Sequence, residues 1–194
     1  MRFAPPEQAN VVKHEDKSEK LIGFISEQIA ATAARNKPLP IEMRMIARSA
    51  ESPVARALGV LKADLRRAGV ELAVIFAQAD TDGGHGVWAA GASDMPCVKS
   101  LWFARNARLI DAHEVLTIGT HALWIGDSMR RDPEKRDSFE TYVPNCTGTA
   151  AQFRRSFDRI AGLSEMVALS AYFSSGLIFP SGKNETSVVL PLST

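Results

Sequence analysis

The sequence predicts an α/β fold in which a mixed β-sheet is sandwiched by helices, and three stretches carry that prediction. The first is a helical stripe (Val54, Ala57, Leu58, Val60, Leu61, Leu65) that runs into Gly69 and then into "VELAVIFA", residues 70–77. This run is apolar and β-branched, with too little polar alternation for a strand that faces water on one side, so it reads as central and buried. Helix, glycine and buried strand in that order make half of an α/β layer. The second is the pair "EVLTIG" (114–119) and "HALWIG" (121–126), close enough to form an antiparallel hairpin around Gly119-Thr120. The third is Thr147 to Gly162, where Ala150, Ala151, Phe153, Phe157, Ile160 and Ala161 fall on one side of a helix.

The remaining elements follow in chain order. Residues 1–12 carry two prolines and no periodicity, and are expected to form a flexible N-terminal arm. From Lys17 to about Arg35, Leu21, Ile22, Phe24, Ile25, Ile29 and Ala33 recur at helical steps, and "NKPLP" ends that helix. Ser52-Pro53 supplies an N-cap and a first-turn proline for the helix that ends in "RRAG", with Gly69 as its C-terminal cap. "DTDGGHG" (80–86) breaks both periodicities and must be a loop. "VKSLWFAR" (98–105) and "SFETYV" (138–143) are strand-like, and Thr147 or Thr149 is expected to cap the last helix. A single domain is expected over residues 13–163, with 164–194 as a C-terminal extension packed on it.

Composition narrows the function classes. The chain has 194 residues and is 45% hydrophobic, enough for one sizeable core. Its 23 basic and 22 acidic side chains nearly cancel, so nucleic acid or an anionic membrane would have to be held by a local patch and not by the field of the whole molecule. Cys97 and Cys146 lack metal-ligand spacing and read as two free thiols in a reducing compartment. No apolar signal core follows Met1, and "VALSAYFSSGLIF" (167–179) falls short of the about 20 apolar residues a membrane helix needs. A cytoplasmic protein without a membrane segment is expected.

No cofactor or metal site is expected either. "TDGGHG" lacks the lysine and spacing of a phosphate loop. No pair among His85, His113 and His121 has a ligand spacing. Trp88, Trp102 and Trp124 read as packing residues, since no basic stripe interleaves them.

Taken together, the order is a helix ending in "RRAGVELAVIFA", a histidine, a tight hairpin ending in glycine, a charged loop, an acidic strand and the helix "TAAQFRRSFDRIAG". Over roughly residues 45–163 this resembles the phospholipase D and endonuclease superfamily in its single-motif form. The family signature is His-x-Lys, a following Asp and then Gly-Ser-x-Asn, succeeded by a strand bearing a glutamate. His113 stands where the resemblance implies the nucleophilic histidine, but Val115 takes the lysine position and Thr120 the aspartate position. Gly126 matches the corner glycine, whereas Asp127 replaces the serine and Met129 the asparagine, with Ser128 between them. Glu140 resembles the glutamate that supports a histidine.

The resemblance implies a phosphohistidine mechanism in which lysine and asparagine offset charge on the phosphoryl oxygens. Removing one such donor costs about 2.7–4 kcal/mol of barrier stabilisation, so the substitutions imply lost or altered phosphodiesterase activity. Arg130, Arg131, Lys135 and Arg136 could replace the missing cations and bind phosphate. They could equally pair with Asp127, Asp132, Glu134 and Asp137 as a solvated rim, and His113 could be a structural histidine beside Asp111 or Glu114. Three functions stay open: a binding or regulatory module, an active phosphodiesterase using His113 with an arginine in the lysine's place, and a plain protein-interaction domain. The resemblance further implies a homodimer and a phosphate-containing ligand.

Overall fold

A computed structural model describes residues 10–13, 16–35, 40–77, 97–104, 114–126 and 139–167. Its centre is a β-α-β unit, of which the stripe and the buried run foretell the helical segment and the second strand. Strand β2 (Ile41–Ala47) leads through α2 (Pro53–Val60) and α3 (Lys62–Arg67) into β3 (Val70–Phe76), which lies parallel to β2 with Ile41 beside Val70 and Ala47 beside Phe76. Strand β4 (Val98–Phe103) adds a further parallel neighbour to β3. On the other side of β2 the sheet turns antiparallel. There β5 (Glu114–Ile118) pairs with β2, β6 (Ala122–Gly126) with β5, and β7 (Phe139–Val143) with β6. Two short strands close the edges, β1 (Asn10–Lys13) against β7 and β8 (Glu165–Val167) against β4, both antiparallel. The eight-stranded order is β1-β7-β6-β5-β2-β3-β4-β8, a mixed sheet as expected.

Helices cover both faces. Helix α1 (Lys17–Arg35) packs with α2 and α3 on one face, burying Leu21, Phe24, Ile25, Val54, Leu58 and Leu65 against Met43, Met45, Leu72, Leu116 and Trp124. Helix α4 (Thr147–Gly162) covers part of the other, setting Ala150 against Val115, Leu123 and Val143, and Phe157 against Ile46 and Ile75. The central strands are therefore buried on both sides. Strand β5 is buried at every position, so it cannot show the polar alternation of a one-sided strand.

Several details depart from the sequence reading. Residues 10–12, expected in the arm, belong to edge strand β1; residues 1–9 lie outside the described residues. Strand β2 was not anticipated, although Ile41, Met43 and Met45 alternate with Glu42 and Arg44, which lie on the face that α4 shares. The helix after Pro53 breaks at Leu61 into α2 and α3, and Gly69 follows α3 with φ +64, the left-handed geometry expected of a cap. The hairpin corner holds three residues, since Ile118 pairs with Ala122, and Gly119 takes a positive φ of 59 within it. Cys146, not Thr147 or Thr149, occupies the N-cap position of α4, without a side-chain cap bond. Both cysteines are free thiols. The loop 80–86 and the C-terminal residues from 168 onward lie outside the described residues.

Candidate functional site

The strand register collects a buried polar cluster across β5, β6 and β7, beside the start of the helix that follows β2. Glu114, the first residue of β5, pairs with Gly126, the last of β6. Glu140, near the start of β7, follows on the same side, because Trp124 pairs with Tyr142 and Ile125 with Thr141. Glu114 and Glu140 are 0% and 1% exposed, so two carboxylates lie inside the protein beside one glycine. A Cβ at position 126 would stand 2.8 Å from Glu140 Oε1 and 3.4 Å from Glu114 Oε2. Glycine is needed here for the room it leaves to carboxylates.

Both carboxylates are met by groups at the start of a helix. Lys17, at the first turn of α1, is buried and places its Nζ 2.5 Å from Glu140 Oε1. The backbone N–H of Val54, in the first turn of α2, donates to Glu114 Oε1 at 3.3 Å. This bond replaces the cap the sequence suggests. Ser52 does sit at the N-cap with Pro53 after it, yet its hydroxyl caps nothing and instead accepts from the Ser49 N–H at 3.2 Å. A carboxylate from a distant strand thus satisfies a free N–H of the helix and faces the positive end of its dipole.

Next to this cluster lies an aromatic stack that fixes β6 and β7. Trp124 and Tyr142 are near-parallel, with 5.4 Å between centroids, and Phe24 of α1 tilts against both at 5.5 and 5.0 Å. Trp124 is fully buried and Trp102 stands edge-on to Phe157, so both are packing residues; Trp88 lies outside the described residues.

Of the residues singled out from the sequence, Gly126 and Glu140 are brought together. His113, Asp127, Ser128, Arg130, Arg131, Lys135 and Arg136 lie outside the described residues. Val115, which the resemblance puts at the lysine position, is buried on the α4 face, with its side chain among Leu123, Val143, Cys146 and Ala150. Its neighbour Glu114 is the β5 residue on the face of Gly126 and Glu140. Sequence reasoning passed over Glu114 and Lys17 as site residues. The signal for Glu114 was a lone charge at the head of an otherwise apolar strand; Lys17, on a lysine-rich helix start, gave none. Among the described residues no group of three or more His, Cys, Asp or Glu is arranged to hold a metal.

No family model matches the chain, and no curated protein matches it in sequence. Solved structures do match its fold. Nuc from Salmonella typhimurium, a phospholipase D family member, superposes with a TM-score of 0.54 at 12% identity, over 82% of this chain and 97% of Nuc. NucT from Helicobacter pylori gives a TM-score of 0.54 at 12% identity, over 82% of this chain and 99% of NucT. TrmBL2, an archaeal chromatin protein whose structure shows a novel mode of DNA binding, gives 0.50 at 12% identity, over 83% of this chain and 55% of TrmBL2. The likeness is one of fold, shared with Nuc, a phospholipase D family member, and with NucT.

Proposed function

We propose that this chain is a phospholipase-D-like domain that has lost phosphodiesterase activity and works as a binding or regulatory module. The observation that carries the reading is the position of Glu114. A phosphoryl group in transfer needs cations or N–H donors fixed around its oxygens. The resemblance puts the signature's lysine at Val115, which is buried on the α4 face of the sheet, and the adjacent residue that faces Gly126 and Glu140 is the acid Glu114. Neither residue is a cation, and the one beside the site is a carboxylate. Two unit charges of like sign 4 Å apart repel by about 4 kcal/mol at the effective dielectric of a protein surface. Lys17, the buried cation nearby, is already engaged by Glu140, and the Val54 N–H by Glu114. The cluster thus resembles an ion-paired fixture more than a phosphate cradle.

A phosphate-containing ligand is assigned in this reading to the basic run Arg130, Arg131, Lys135 and Arg136, which follows the corner in sequence. A binding role has a parallel in TrmBL2, where the matched fold occurs in a chromatin protein. Homodimerisation, implied by the single-motif resemblance, belongs to the same proposal. The test is a titration of labelled single- and double-stranded oligonucleotides and of inorganic phosphate against the full chain and against the Arg130→Ala/Arg131→Ala variant. Binding without turnover that weakens in the variant is expected. Unchanged binding in the variant would remove the arginines from the role, and no binding of any phosphate compound would favour a plain protein-interaction domain.

A further inference from the structure

We draw no further inference here: the strongest candidate, the open cleft of about 240 Å³ between β2, β3, β4 and α4 lined by Arg44, Trp102 and Phe157, has each of its carboxylates, Glu42, Glu71 and Asp158, already paired with a basic side chain, and nothing in the structure shows what would occupy it.

Discussion

Gly126 and the carboxylates around it are where single substitutions bear hardest on the account. Adding one methyl group at 126 drives it to 2.8 Å from Glu140 Oε1, in a place where both neighbours are buried and the carboxylate is held by Lys17. Gly126→Ala is therefore expected to cost about 1–3 kcal/mol, read as a lowered denaturant midpoint. The same substitution in a Glu140→Ala background should cost clearly less. The Lys17–Glu140 pair makes a second prediction. Removing one partner of a buried pair leaves an uncompensated charge, so Lys17→Met alone should cost about 3–5 kcal/mol. Lys17→Met with Glu140→Leu should recover much of that loss, and a double-mutant cycle in urea would show it as a large coupling. A third concerns Cys146, whose thiol is pushed up by burial, with the Ala150 N–H pulling the other way. The folded state thus prefers the neutral thiol. Its contribution is complete below the ordinary thiol range and is lost as pH rises through the raised value. Native Cys146 should accordingly resist alkylation at pH 8 relative to half-buried Cys97, and Cys146→Ala should flatten the alkaline fall in stability. In the sequence, Glu140 was legible as a site candidate through the resemblance, which implies a glutamate on the strand after the charged loop. Glu114 was harder to see. Its role depends on strand parity, which puts it and not Val115 on the site face, and parity is fixed only once the pairing with β6 is known.

At the level of elements, α4 is fastened to the sheet by two arginines that cross the same boundary. Arg154 of α4 donates to the Gly119 carbonyl at the hairpin turn at 3.1 Å and pairs with Glu42 of β2. Arg44 of β2 reaches the other way, donating to the Arg154 carbonyl at 3.3 Å, pairing with Asp158 and lying 5.5 Å from the Phe157 ring centroid. These pairs are partly exposed, so each charge pair is worth only about 0.2–1 kcal/mol and is screened by salt. Arg154→Ala also strips a donor from the turn, and a loss of about 1–2 kcal/mol is expected in low salt. The salt dependence of unfolding should shrink in the variant, and an unchanged dependence would show that the pairs contribute nothing. The same arginines bear on β2, which was missed. "IEMRMIA" alternates apolar and charged residues as a strand does, but the partners of Glu42 and Arg44 on α4 are supplied only by the tertiary fold. By contrast α1, β3 and the β5–β6 hairpin were readable, since their apolar periodicities match the faces they bury. Edge strands β1 and β8, of four and three residues, are too short to carry a pattern and exist through their neighbours.

For the whole molecule, the sheet joins a parallel half, β2-β3-β4, to an antiparallel half, β5-β6-β7, and the polar cluster lies across the antiparallel half. The chain shares its fold with Nuc and NucT at 12% identity, and element order was the part of the resemblance the sequence carried. Residue identities carried far less, because backbone order survives substitutions that remove a cation from a site. No helix among the described residues is long and apolar enough to cross a membrane. Light scattering over a range of concentrations should give the mass of two chains, twice 21.1 kDa, in keeping with the proposed homodimer. The most direct test of the central claim is hydrolysis of a chromogenic phosphodiester by the full chain beside His113→Ala. No turnover above background in either protein is the predicted result, and turnover by the unaltered chain that disappears in His113→Ala would contradict the proposed loss of activity.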